Sequence, residues 1–195
     1  MATTKRWFVI GISGATCSGK STLAKKIYDN FPGSVMVQQD DYFLPVDDLR
    51  HVKVAELNHI NWEVMTSLDM QKMHSDVLKI LELHEKSTAH SSGRRLLILD
   101  GFLLFKHKAI TDLCDRKYFL TLSEELCCER RTNRPYEPPD PPGYFEKVVW
   151  PEYINYKREI TGDNELCATI TFIDGSTDVE EIYETVSKEI SQLLL

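Results

Sequence analysis

Apolar positions are grouped along the chain so that strands and helices alternate. Trp7-Phe8-Val9-Ile10-Gly11-Ile12 is almost wholly apolar, aromatic and β-branched, the mark of a strand covered on both faces. A glycine-rich turn follows. Leu23, Ile27 and Phe31 then recur at i, i+4 and i+8, one stripe of an amphipathic helix that Pro32-Gly33 terminates. Val35-Met36-Val37 predicts a short second strand ending at Gln39-Asp40-Asp41, and Leu44 to Asn61 reads as an irregular polar surface excursion. A helix is expected from about Asp69 to His84, with Met70, Met73, Val77, Ile80 and Leu81 on one face, and Thr88 to Arg95 reads as a polar linker containing Gly93. Leu96 to Asp100, Tyr118 to Leu122 and Ile170 to Ile173 supply three further strands.

Ser123 is placed to cap the next helix, with Glu124 and Glu125 suiting its positive end. That helix is expected to stop at Pro135, where a proline-rich loop, Tyr136 to Gly143, opens. Another helix should begin near Pro151. The last carries a Thr177/Glu180 capping box and a stripe of Val179, Ile182, Val186, Ile190 and Leu193. The reading is α/β, a mainly parallel five-stranded sheet flanked by helices with a helical lid near 124–145, all in one domain spanning 1–195.

Composition narrows the classes. Thirty Asp+Glu against 23 Lys+Arg give a formal charge of −7, without the global basic field of a nucleic-acid binder. Apolar runs such as Leu96 to Leu99 are far shorter than the ~20 residues of a membrane helix, so no membrane partner is expected. Five cysteines, an odd number without Cys-x-x-Cys spacing, suggest neither a disulfide framework nor a zinc site. A cleavable leader would remove the first strand and is not expected, which leaves a reducing cytoplasmic or nuclear setting. Oligomeric state is not legible, because an apolar helix face serves a core and an interface equally.

The chemistry is concentrated in Gly14-Ala15-Thr16-Cys17-Ser18-Gly19-Lys20-Ser21, which meets G-x-x-x-x-G-K-[ST] at every fixed position between a strand and a helix. Glycines allow backbone N–H groups to wrap phosphates, Lys20 would reach the β/γ-phosphates of a nucleoside triphosphate, and the Ser21 hydroxyl would ligate Mg²⁺. Asp100, ending an apolar strand, is the candidate second metal group. An Asn-Lys-x-Asp base-reading motif is missing, which excludes a typical GTPase. Arg130, Arg131 and Arg134 fall at i, i+1 and i+4 ahead of the Pro/Gly loop, a pattern suited to a phosphate-clamping lid that excludes water. Asp40, just past the second strand, is the candidate base that aims an acceptor hydroxyl at the γ-phosphorus.

Four further segments extend the pattern: Gln39-Asp40-Asp41-Tyr42-Phe43, Asp100-Gly101-Phe102-Leu103-Leu104-Phe105, Arg130-Arg131-Thr132-Asn133-Arg134-Pro135-Tyr136, and Pro138-Pro139-Asp140 through Pro142-Gly143-Tyr144-Phe145 to Val149-Trp150-Pro151. Together with the phosphate loop they resemble the nicotinamide riboside kinases over nearly the whole chain. The phosphate loop is shared with uridine kinases, whereas the proline-rich stretch points to the riboside kinases.

The resemblance implies 5′-phosphorylation of nicotinamide riboside by ATP with Mg²⁺, a step of NAD salvage. It implies ATP binding by Gly14 to Thr22 (Gly14, Ala15, Thr16, Cys17, Ser18, Gly19, Lys20, Ser21, Thr22), with Arg130 and Arg134 on the phosphates. Metal contacts fall to Ser21, Asp40 and Asp100, and catalysis to Asp40 and Lys20. The riboside contacts are Asp40, Tyr42, Phe43, Trp62, Glu63, Arg131, Tyr136, Glu137 and Asp140, with Tyr136 stacking on the nicotinamide. Trp62-Glu63 stands where the family has Tyr-Asp, and Asp100 where it usually has Glu. Nicotinamide riboside is a cation, which Trp62 and Tyr136 could sandwich. A uridine/cytidine kinase and a non-catalytic ATP-sensing module are the alternatives.

Overall fold

The computed structural model describes residues 6–83 and 94–194. Strands β1 (Trp7–Gly14), β2 (Val35–Gln38), β5 (Arg95–Asp100), β6 (Arg116–Thr121) and β7 (Ile170–Asp174) form one sheet in the order β2-β5-β1-β6-β7, every pair parallel. Helices α1 (Lys20–Asn30) and α7 (Val179–Leu194) cover one face. Against the other pack α2 (Met70–Leu83), α3 (Lys108–Leu113) and α5 (Trp150–Gly162). The remaining strands and α-helices among the described residues are the two-residue antiparallel pair β3 (Lys53–Val54) and β4 (His59–Ile60), α4 (Glu124–Thr132) and α6 (Asn164–Cys167).

Alternation within the apolar strands explains the two cores. Phe8, Ile10 and Ile12 point to the α1/α7 side, meeting Leu23, Ile27, Ile182, Val186 and Ile190. Trp7 and Val9 point the other way, into a larger cluster with Met73, Val77, Ile110, Tyr156 and Ile160. A parallel strand buried on both faces needs apolar residues at odd and even positions alike, which is why the run at 7–12 carries no period of two. In register, Ile12 pairs with Asp100 and Asp100 with Gln38. The carboxyl ends of β1, β5 and β2 are therefore level, and whatever follows them shares one edge of the sheet.

Local signals behave as their chemistry requires, with three corrections. Ser123 Oγ accepts from the Leu126 N–H at 3.3 Å and caps α4, and Asp69 Oδ1 accepts from Lys72 N–H at 2.9 Å to cap α2. The cap of α7 is Asp178 rather than Thr177: its Oδ1 accepts from Glu180 N–H at 2.8 Å, placing the helix start one residue later than the capping box predicts. Helix α4 ends at Thr132, so Arg134 is not on the helix face shared by Arg130 and Arg131. A proline disfavours helical geometry at the residue before it, in keeping with a helix that ends ahead of Arg134. Third, α5 is preceded by a π-helical turn, Phe145–Val149, that continues directly into it. Short helices α3 and α6 have too few turns to show a period. His84 and residues 88–93 of the expected linker lie outside the described residues. Among the described residues no helix is long and apolar enough to cross a membrane.

Candidate active site

The turn between β1 and α1 is shaped by its glycines. Gly14 has φ +136°, and a Cβ there would lie 2.1 Å from the Leu120 carbonyl oxygen, so only glycine lets the loop leave the sheet beside β6. Gly19, at φ +91°, turns the chain into α1. The first intrahelical bond runs from Leu23 N–H to the Gly19 carbonyl, so the N–H groups of Lys20, Ser21 and Thr22 have no acceptor within the helix. They and the helix dipole form an anion-binding end, with the buried Lys20 at its start.

Opposite stands the β2 edge. Gln39 is fully buried, its Oε1 accepting from Leu103 N–H at 2.9 Å. A side chain at Gly101 would strike Gln39 at 2.4 Å, so the glycine after β5 lets the two strand ends approach. That contact anchors the turn presenting Asp40. Asp100 is buried, and its Oδ1 has no hydrogen-bond partner. Desolvation lifts its carboxyl above the usual value, and the nearby Asp40 charge adds to this, while Lys20 and hydrogen bonds from Ser21 and Gln38 pull it down.

The rest of the site comes from segments distant in sequence. Arg131, almost fully buried, links two of them. Its Nε and Nη2 grip Asp140 at 2.6 and 3.2 Å, and Nη1 reaches Glu63 Oε1 and Thr16 Oγ1, each at 3.2 Å. The Arg131 guanidinium lies 4.3 Å from the centroid of the Tyr136 ring, with that of Arg134 at 5.3 Å. Burial raises the Glu63 carboxyl above its ordinary value, against the pull of Arg131 and Lys20. Burial likewise pushes the Tyr136 phenol up to about 12, so it remains protonated beside Thr16 and Cys17. Trp62 meets Phe43 and His51 edge-on at 5.6 and 4.7 Å, and Phe43 stacks on Phe102 at 5.8 Å.

These groups surround one cavity of about 440 Å³, of the size that holds a small organic ligand. Its lining brings together Thr16, Lys20, Asp40, Phe43, Trp62, Glu63, Arg131, Arg134, Tyr136, Glu137 and Asp140. It does not include Tyr42, whose hydroxyl turns to Asp76 at 3.4 Å and whose ring carries the Lys72 ammonium at 4.9 Å. Nor does it include Arg130, whose Nη1 donates to the carbonyls of Cys17 at 3.2 Å and Gly175 at 3.0 Å, bracing the back of the phosphate loop. Asp100 and Ser21 also stand outside this lining, grouped with Lys20 at the sheet edge. Sequence reasoning missed Leu44, Pro45, Val46, Phe102 and Pro138, which form an apolar wall. The first three form a short apolar run at the start of the polar excursion, too brief to show a period.

A glycine-shaped turn ahead of α1, with Lys20 at the helix start, and a parallel sheet in this strand order are the fold of a P-loop small-molecule kinase. A crystal structure of a sugar kinase from a Janibacter species superposes with a TM-score of 0.58 over 95% of each chain at 10% identity, a likeness of fold alone. No protein-family model matches the chain. Nicotinamide riboside kinase 1 of Rattus norvegicus is 37% identical over 192 residues, 96% of this chain and 95% of the relative. Nicotinamide riboside kinase 2 of Homo sapiens is 36% identical over 195 residues, 96% and 82% of the two chains. The chain belongs to the nicotinamide riboside kinase family.

Proposed function

We propose that the protein transfers the γ-phosphoryl group of ATP to the 5′-hydroxyl of nicotinamide riboside, giving nicotinamide mononucleotide and ADP. The observation that carries this reading is that Lys20, Asp40 and the aromatic pair Trp62 and Tyr136 line a single cavity. Phosphoryl transfer needs little covalent chemistry from a protein; it needs an in-line arrangement and compensation of charge on the moving group. Lys20 and the α1 N-terminus hold the phosphates. From the β2 edge Asp40 accepts the hydrogen bond of the 5′-hydroxyl, orients its oxygen and takes its proton as the new P–O bond forms.

Glu63 and Asp140, held by Arg131, are the acceptors for ribose hydroxyls. A cationic pyridinium ring suits a slot walled by Trp62 and Tyr136 and surrounded by Asp40, Glu63, Glu137 and Asp140. The metal set also fits. Mg²⁺ takes one or two carboxylates with phosphate oxygens and waters, and Asp100 offers a buried, unpartnered Oδ1 beside Ser21 and Asp40. A magnesium ion bound there would neutralise charge on the phosphates.

The test is ADP release across a panel of ribosides. The reading expects nicotinamide riboside to exceed uridine and cytidine in kcat/KM by at least about tenfold, roughly the value of one added cation–π contact. A preference for uridine would make the protein a pyrimidine nucleoside kinase. Tight ATP·Mg²⁺ binding without turnover of any riboside would make it an ATP sensor.

A further inference from the structure

Tyr144 is used by none of the chemistry above, yet it joins the two walls of the riboside cavity. It is fully buried at the foot of the lid. Its hydroxyl accepts from Trp62 N–H at 2.9 Å and donates to the Ile60 carbonyl at 3.1 Å, closing one bracket over residues 60–62. Its ring stands 5.9 Å from the Arg131 guanidinium and meets His59 edge-on at 5.0 Å. One side chain therefore touches the backbone that carries Trp62 and the arginine that holds Glu63 and Asp140. Other bonds hold the same segment: β4 pairs with β3, Asn61 N–H donates to the Val52 carbonyl at 2.8 Å, Asn61 Nδ2 to Glu152 at 2.9 Å, Ser67 Oγ to the Trp62 carbonyl at 2.9 Å, and Glu63 N–H to Asn61 Oδ1 at 3.0 Å. Among the described residues, only the Tyr144 hydroxyl holds the Trp62 N–H.

We propose that Tyr144 is a positioning residue of the riboside site, setting the gap between Trp62 and Tyr136 through the Trp62 backbone and leaving the phosphate end untouched. The proposal rests on the function proposed above. An aromatic slot rewards stacking only at a fixed separation, and Trp62 lies two residues past the short strand β4, where its own N–H is held by the Tyr144 hydroxyl and not by the β3–β4 ladder. Loss of the hydroxyl leaves an N–H and a carbonyl without their partner, and the segment relaxes to find water.

The test is Tyr144→Phe, which keeps the ring that fills the core. The variant should raise KM for nicotinamide riboside about tenfold, the net cost of the two unpaired backbone groups once the segment has relaxed toward water, with kcat and KM for ATP within about twofold. Amide exchange of residues 60–63 should speed up by a similar factor. Tyr153→Phe removes a buried phenol with no hydrogen bond to that segment, and should change neither. An unchanged riboside KM in Tyr144→Phe, or KM for both substrates rising together as Tm falls, overturns the proposal. If the wild-type protein phosphorylates no nicotinamide riboside, the functional reading fails by itself. Amide exchange then decides: unchanged protection at 60–63 overturns the bracket, and lost protection upholds it.

Discussion

The two ends of the cavity are built by different physics. At the phosphate end, position follows from the backbone: Gly14 and Gly19 shape a turn between a buried strand and a helix, and parallel register levels Asp100 with Gln38. At the riboside end, position follows from side chains tied across long stretches of chain. Arg131 holds Glu63, 68 positions earlier, as well as Asp140, and Tyr144 holds the Trp62 backbone. A backbone-built site tolerates side-chain loss without unfolding, whereas a site knotted by one buried cation does not. The first half should therefore lose activity alone, and the second should lose structure and affinity together.

Arg131→Met is the sharpest way to separate the halves. It strands two largely buried carboxylates, and breaking such a group by removing one partner costs about 3–5 kcal/mol. A calorimetric Tm lower by roughly 6–20 °C is expected, with riboside binding lost. Lys20→Ala should do the reverse. Its kcat/KM falls about 10²–10³-fold, as for loss of one preorganised group on a transition-state charge, while Tm stays within about 2 °C. An equal loss of Tm in both variants would erase the distinction.

Asp100→Asn probes the sheet edge and carries a pH signature. The folded-state value of its carboxyl is raised above 3.8, so the neutral form is the one the fold favours. That contribution to stability is complete below the unfolded value and disappears as pH rises through the folded one. At neutral pH, in metal-free protein, the charged group is a burden that asparagine removes. The variant should melt above wild type at pH 7, by about 2–4 °C for each kcal/mol relieved, and the gap should close below about pH 4. Its Mg²⁺ requirement in the kinase assay should rise about 10–100-fold. The smallest effect is expected of Trp62→Ala, which removes one stacking wall. KM for nicotinamide riboside should rise by the equivalent of about 0.5–2 kcal/mol, and KM for ATP should not move.

The same division decides how much was legible in the sequence. Strand runs, the helix stripes and the phosphate loop are local patterns, and the five strands and the alternation of layers follow from them. The placement of Asp40 on the cavity was legible because a carboxylate just past a parallel strand stands at the sheet edge the loop faces. The fate of Tyr42 was not, since one residue further on the backbone turns it toward Asp76 and Lys72. Arg130, Arg131 and Arg134 look alike in sequence and do three different things: one braces carbonyls, one knots two carboxylates, and one lies beyond the helix end over Tyr136. Nothing local separates them, because each role is set by what packs against it. Tyr144 was invisible for the same reason.

Asp40→Asn bears most directly on the claim that one cavity joins phosphate and riboside. Asparagine keeps the shape and cannot take the proton, so single-turnover kcat should fall about 10²–10⁴-fold while ATP·Mg²⁺ and nicotinamide riboside bind within about threefold of wild type. Turnover close to wild type would contradict the account.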